Sequence, residues 1–374
     1  MSHNINHHDD NTASRNRFRE WGSQRLLGHA IPKKLGGRGD GFTELTEAHR
    51  ALGRSCMDTG QVLALNAHLW GSVFPILSFG TKAQQQELLP SLLSGESVGG
   101  HAITEPQAGS DLHGLEASAT QMTNGYRLDG HKRYITNTPI ADWLIIYARL
   151  GTGAQPDLNK GLSAFLVHRS DSGADFSDAP SVDACQQAPM GDVILDACIV
   201  PEGRLLGPAG NGALIAQQAL ELERAFIFAG ISGILDNQLK MVVQHARKRR
   251  IGGRPLGHNQ AISHRIADMK VRLDTLGLWI RHCAELKDLG RRITNASSQT
   301  KLYGAEAFLQ SSLDAVQILG AAGLEHGEIM GRLVQDAMAS RLFSGSSEVQ
   351  KNIIASLLGV GSSDSTAPST KNRP

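Results

Sequence analysis

The chain has few cysteines, few aromatics, almost no net charge and no long apolar run, and each shortage closes off a class of protein. Its four cysteines, Cys56, Cys185, Cys198 and Cys283, show neither a CxxC pair nor zinc-ligand spacing. Neither a disulfide framework nor a metal site is therefore expected, and reduced thiols in a cytoplasmic protein are the default. A net charge of +1 provides no electrostatic case for nucleic acid or a membrane surface. No uninterrupted apolar run approaches the ~18 residues of a membrane span. The first residues, MSHNINHHDDNTASRNRF, lack the apolar stretch a secretory signal needs. Although aromatics are only 5% of the chain, apolar residues make up 40%, enough for a sizeable core.

What is present falls into three textures. Residues 1–15 and 361–374 are polar and low in apolar content, which predicts a disordered arm and tail. Within the arm, His7 and His8 beside Asp9 and Asp10 could bind a metal ion or be inert. Residues 16–98 read as a helical domain: FREWGSQRLLG, FTELTEAHRALGRSC, LNAHLWGSVFPILSFG and KAQQQELLPSLLSG carry helical periodicity, and Thr81 with Gln84 has capping-box spacing. Residues 99–208 alternate in short runs, including Lys132 to Thr136, Trp143 to Ala148, Leu162 to Val167 and Val193 to Val200. Asp129-Gly130 is a hairpin signal, and the whole stretch predicts a β barrel or sandwich. Residues 209–360 are helical again, near 211 to 250, 258 to 290, 295 to 320 and 330 to 358, which predicts a four-helix bundle.

The run QQALELERAFIFAG, Gln217 to Gly230, contains the most informative carboxylate. At 3.6 residues per turn, Ala216, Leu220, Glu223, Ile227 and Gly230 share one stripe, so Glu223 interrupts an apolar seam. Burial there would raise its pKa toward neutrality, as a general base requires. A core glutamate satisfied by a neighbour, or a member of an arginine-paired network, fits the helix equally well. Glu221 lies off the stripe, three residues before Arg224, and reads as a solvated pair partner.

Two further clusters stand out. HAITEPQAGSDLHG, His101 to Gly114, offers backbone N–H groups and short hydroxyls that could line an anionic or heteroaromatic ligand, or be an ordinary turn. KRYITNTPIADW places Tyr134 and Thr136 two apart on a strand, so an aromatic ring and a hydroxyl share one face. That face could stack on a planar cofactor, or be an ordinary half-buried strand.

Together, TEPQAGSD with YITN, ARKRRIGGRPL (246–256) with Gln260, Gln317-Ile-Leu-Gly-Ala and SGSSEVQKNIIA resemble the acyl-CoA dehydrogenase family of flavoproteins from about Leu26 to Gly359. The resemblance implies an α+β multidomain fold, with an N-terminal helical domain, a central β barrel and a C-terminal four-helix bundle. It also implies FAD, held by His101, Ile103, Thr104, Gly109, Ser110, Tyr134 and Thr136. Arg249 and Gln317, with Gly320 nearby, would reach the FAD of a neighbouring subunit in a homotetramer or homodimer, Gln260 and Ala321 would also bind the cofactor, and Ser346 and Glu348 would hold its adenosine half. Arg224 and Phe343 would meet substrate. The family reaction removes an α-proton beside a thioester while the β-hydrogen leaves as hydride to flavin N5. A flavin hydroxyl and one backbone N–H, here that of Ser344, polarise the thioester carbonyl.

Most members carry glutamate where this chain has Ser344, and a serine hydroxyl cannot be that base. A minority place the base on the bundle helix, at the position matching Glu223, and the resemblance implies that arrangement here. Wider stretches, NAHLWGSVFPILSFG, ITNTPIADWLIIYA and SRLFSGSSEVQKNIIASLLG, look like the branch acting on acyl or aminoacyl groups tethered to carrier proteins in natural-product assembly. Lys248 and Arg250 could meet an acidic carrier or simply be a solvated helix face. Gly252 departs from the family, which usually has Phe there. A short- or branched-chain acyl-CoA dehydrogenase, a monooxygenase on the same fold and a scaffold without catalysis are the alternative readings.

Overall fold

The computed structural model describes residues 7–151, 161–178 and 182–361. Two compact units divide the chain, Met1–Ala48 with Asp58–Glu223, and His49–Met57 with Arg224–Pro374.

The first unit opens with α1 (His7–Ser23), followed by α2 (Phe42–Cys56), α3 (Thr59–His68), α4 (Phe74–Phe79) and α5 (Lys82–Ser94). Helix α1 begins inside the stretch expected to be a disordered arm. Phe18 and Trp21 are buried and in edge contact at 5.0 Å, and Arg15 donates to Asp142, anchors that composition alone does not weigh. The capping box is formed as expected: Gln84 N donates to Thr81 Oγ1 (3.2 Å) and Thr81 N to Gln84 Oε1 (2.9 Å). Between α3 and α4 the helix widens into one π turn, Leu69–Val73, a form often found beside functional sites. Gly71 in that turn has no room for a Cβ, which would lie 2.9 Å from the His101 backbone nitrogen.

The strands are β1 (Gly99–Ala102), β2 (Ser118–Met122), β3 (Gly125–Thr136), β4 (Trp143–Gly151), β5 (Leu162–His168), β6 (Ala174–Asp178), β7 (Met190–Pro201) and β8 (Leu205–Leu206). They form one sheet in the order β6-β7-β3-β2-β4-β5-β8, with β1 parallel to β4. Among the described residues the path is open at β6 and β8, so closure into the expected barrel is not seen. Asp129-Gly130 is not a hairpin either. Strand β3 runs straight through it with a register shift, Ala197 N donates to Asp129 Oδ1 (2.9 Å), and a Cβ on Gly130 would lie 2.7 Å from that of Ala117. Here the glycine marks a bulge and a close approach. The real β2–β3 hairpin turns at Thr123-Asn124. The core under the sheet is aliphatic with a few rings, including Leu128, Leu144, Ile146, Phe165, Val193 and Tyr126.

Helix α6 (Gly212–Lys248) contributes residues to both units. The second unit adds the hairpin of β9 (Arg250–Ile251) and β10 (Arg254–Pro255), then α7 (Gln260–Asp288), α8 (Thr294–Leu319), α9 (Ile329–Ser340) and α10 (Ser347–Leu357). The expected single helix over 330 to 358 is thus two helices separated by a turn containing Ser344. Gly252 and Gly253 take φ of 54° and 77° in the two-residue β9–β10 turn, the left-handed pair a type I′ hairpin demands. Gly304 of α8 lies under the Phe228 ring, where a Cβ would come within 2.6 Å, and such overpacking costs about 1–3 kcal/mol.

Two helical stretches, Thr59–Phe79 and Gly212–Lys248, are long and apolar enough on average to cross a membrane by length and composition, although polar residues interrupt both. Their most apolar windows are 83% and 67% buried inside the protein, as core helices are.

Candidate active site

Glu223 is 5% exposed, buried as expected. Glu221, expected to be solvated, is buried too, because residues 221–235 of α6 are enclosed on every side and the one-stripe argument does not apply. In the first unit His101 Nε2 lies 3.6 Å from Glu223 Oε2. Strand β1 sets His101 opposite Ile145 in β4, on the same face as Tyr147, and the two rings meet edge-on at 6.3 Å. Burial pushes the His101 imidazole down to about 4, so it is neutral near pH 7. Its Nδ1 is buried without a hydrogen-bond partner, and the ring proton belongs on Nε2, where it faces a carboxylate. Burial, then the charge of Glu223, push the Tyr147 phenol upward, so it also stays neutral. His101 therefore sits beside the acid, a placement the cofactor role expected for it did not include. Tyr147 was missed altogether, its only signal being its strand parity with Ile145.

The TEPQAGSD loop is built around a second acid. Glu105, 3% exposed, accepts from Lys132 Nζ (2.6 Å), Glu116 N (2.6 Å), Ala117 N (3.0 Å) and Gln107 Nε2 (2.7 Å). Burial pushes its carboxyl up, but the Lys132 ammonium and the Glu116 N–H outweigh this and hold it below the usual range. Lys132 Nζ also donates to Ile103 O (3.1 Å). Ile103 is buried and serves the loop through this carbonyl.

Arg133 N donates to Thr104 O (2.9 Å), tying the loop to β3, and a Cβ on Gly109 would touch Thr104 Cγ2 at 3.7 Å. Beside them Tyr134 is 51% exposed at φ 58°, in a bulge between Lys132 and Ile135. The bulge adds a residue, so Lys132 and Ile135, three apart, are both buried. Simple alternation is therefore not what places Tyr134 and Thr136. A left-handed tyrosine costs about 1–2 kcal/mol, and here it presents its ring to the outside with the Arg133 guanidinium carbon 5.0 Å above it. Arg133 Nε is buried without a hydrogen-bond partner. An exposed ring, an orphaned guanidinium nitrogen and the short hydroxyls of Thr104, Ser110 and Thr136 fit a planar ligand with an anionic tail.

In the second unit Ser344 stands at φ 57°, and its carbonyl accepts from Arg224 Nε (3.0 Å) and Gln350 Nε2 (3.4 Å). Arg224, expected to meet substrate, thus spends its Nε on the turn. Phe343 is half-buried in the same turn. Ser346 caps α10, its hydroxyl accepting from Val349 N (3.4 Å), and Glu348 is exposed in the first turn of that helix. Arg249, Gln260, Gln317, Gly320 and Ala321 are all exposed. Among the described residues, no group of three or more His, Cys, Asp and Glu could hold a metal.

A helical, a β and a second helical module follow one another along the chain, with a buried acid on the long helix that opens the last. The chain belongs to the acyl-CoA dehydrogenase family and is an FAD-dependent oxidoreductase: residues 2–96, 100–198 and 210–359 match that family's N-terminal, middle and C-terminal domains. It is 40% identical over 342 residues to an L-prolyl-[peptidyl-carrier protein] dehydrogenase of Pseudomonas fluorescens, covering 90% of this chain and 89% of that protein. Among solved structures, the prolyl acyl carrier protein oxidase AnaB matches with a TM-score of 0.89 at 33% identity, covering 92% of this chain and 91% of AnaB. PigA with FAD and proline matches at 0.85 and 28%, covering 96% and 100%.

Proposed function

We propose that this protein carries out α,β-dehydrogenation of an acyl or aminoacyl thioester tethered to a carrier protein, with Glu223 as the base that removes the α-proton. The supporting observation is the exchange of positions: a buried carboxylate at Glu223 with neutral groups beside it, and a serine at 344. The resemblance to prolyl-carrier-protein enzymes favours an aminoacyl substrate of the prolyl type. Because CoA and a carrier's prosthetic arm present the same thioester, the chemistry is common to both carriers.

FAD, when bound, supplies the acceptor for the β-hydrogen. Thr104, Ser110, Tyr134 and Thr136 would hold its ring and phosphates, with His101, Ile103 and Gly109 shaping the loop behind them. Arg249, Gln317 and Gly320 are assigned to the cofactor of a neighbouring subunit, a role their exposure permits, Gln260 and Ala321 to the cofactor as well, and Ser346 and Glu348 to its adenosine half. Glu223 takes the proton from carbon, and the neutral His101 orients the carboxylate without adding a competing charge. Ser344 N–H donates to the thioester oxygen as negative charge develops there.

Glu223→Gln should abolish substrate-driven bleaching of the flavin, followed anaerobically in absorbance. Mass spectrometry of a carrier-bound prolyl group after incubation should show loss of two or four hydrogens. Preference for the CoA thioester over the carrier-bound one would move the reading to a short- or branched-chain acyl-CoA dehydrogenase. An undiminished rate in Glu223→Gln would indicate oxygenation instead.

A further inference from the structure

Lys301 of α8 is a lysine with 0% exposure whose ammonium is used by none of the steps above. Taking an ammonium out of water is costly unless fixed partners compensate it. Its partner is a backbone carbonyl: Nζ donates to Arg341 O at 2.9 Å, where α9 has just ended. The same oxygen accepts from Ser347 N at 3.0 Å, so two donors on one atom close the loop Leu342–Ser346. The Arg341 side chain is itself tied back to α8, its Nε donating to Glu306 Oε1 at 2.8 Å.

Inside the closed loop sits Ser344 with a left-handed backbone, which a residue bearing a Cβ keeps only when its surroundings over-determine it. Arg224 and Gln350 hold the loop after Ser344, by its own carbonyl and by Gly345 O (2.9 Å from Gln350 Nε2). Lys301 and the Ser347 N–H hold it at Arg341, ahead of Ser344. The charged groups around Lys301 are Arg224 on α6, Arg341 at the end of α9, Glu306 on α8 and Glu348 on α10. Burial, then the Arg224 guanidinium, push the ammonium down to about 7, and in either protonation state an N–H remains for Arg341 O.

We propose that Lys301 is a positioning residue for the Ser344 N–H: it pins the carbonyl of Arg341 and so aims that donor at the thioester oxygen. The inference rests on the role given to Ser344 above. A small misplacement of such a donor can cost about 100-fold in rate.

The test uses the FAD-loaded full chain and a carrier-bound arylacetyl thioester, which has an α-proton but no β-hydrogen. Its α-carbon exchange in heavy water reports proton removal alone. Lys301→Met is expected to slow exchange about 100-fold and to lower kcat on a carrier-bound prolyl group alike, with KM within about three-fold. Its FAD content and melting temperature should match the parent's, and Lys301→Arg, which keeps a donor, should recover part of the loss. Exchange within about three-fold of the parent in Lys301→Met overturns the proposal, and so does a loss that only parallels lost FAD or lowered melting temperature. Should the methionine variant not accumulate folded, Lys301→Arg decides: lowered kcat at constant KM supports the proposal, and raised KM at constant kcat overturns it. Glu223→Gln run alongside separates the two ideas, since its exchanging at the parental rate would sink the assignment of the base rather than that of Lys301.

Discussion

Glu105 and Glu223 are both buried carboxylates of the first unit, 3% and 5% exposed, and both lie in segments that sequence reasoning marks as functional. Their surroundings differ in kind. Glu105 meets an ammonium at 2.6 Å and two backbone N–H groups, so its charge is locked in place and its carboxyl is held below the usual range. Beside Glu223 the same unit sets an imidazole and a phenol, both kept neutral by burial. A carboxylate compensated by a cation is structural, because protonating it would strand the cation. The His101 imidazole and the Tyr147 phenol, being neutral, carry no charge that a proton arriving on Glu223 would strand.

The sharpest way to break the contrast is to neutralise each acid. Glu223→Gln should lower kcat by about 10³-fold with little change in urea midpoint. Glu105→Gln should leave Lys132 buried without its counter-charge and cost about 3–5 kcal/mol of stability, read as a lowered urea midpoint. If Glu105→Gln instead left stability intact and lost only rate, the division into structural and catalytic acids would be wrong.

Acid should act through the neutral histidines. His68 donates from Nε2 to Leu92 O (3.1 Å) and accepts at Nδ1 from Gly99 N (3.0 Å), and burial pushes it, like His101, down to about 4. As pH falls below the ordinary 6.5, the unfolded chain takes up protons that the folded one refuses until about 4. Stability present above that window is therefore lost across it, by roughly 3 kcal/mol per ring. Urea midpoints measured between pH 7 and 4 should fall, and His68→Gln should flatten the slope. The smallest effect is expected when both charges go and an acceptor stays for the Glu116 and Ala117 N–H groups: Glu105→Gln with Lys132→Met should lie within about 2 kcal/mol of the parent, well above Glu105→Gln alone.

Local signals were legible where the physics is local. The Thr81–Gln84 capping box depends on residues within one turn of each other, and it is formed as read. Asp129-Gly130 misled because glycine serves a bulge as well as a turn, and only the approach of Ala117 distinguishes them. Residues 330 to 358 keep helical periodicity across the break, since the cause of the break, Ser344 at φ 57°, is held by side chains from α6 and α10. Lys132 reads as one more surface cation in KRY. Its burial follows from Glu105, far back in the chain.

Sequence by itself determined the family and the order of its three modules, because these reside in residue identities and their order. Tertiary structure alone decided that His101 and Tyr147 stand beside that acid, that the strands leave the sheet open, and that Lys301 reaches the end of α9. Those outcomes depend on strand register and on desolvation, and both are set by which distant segments exclude water from one another.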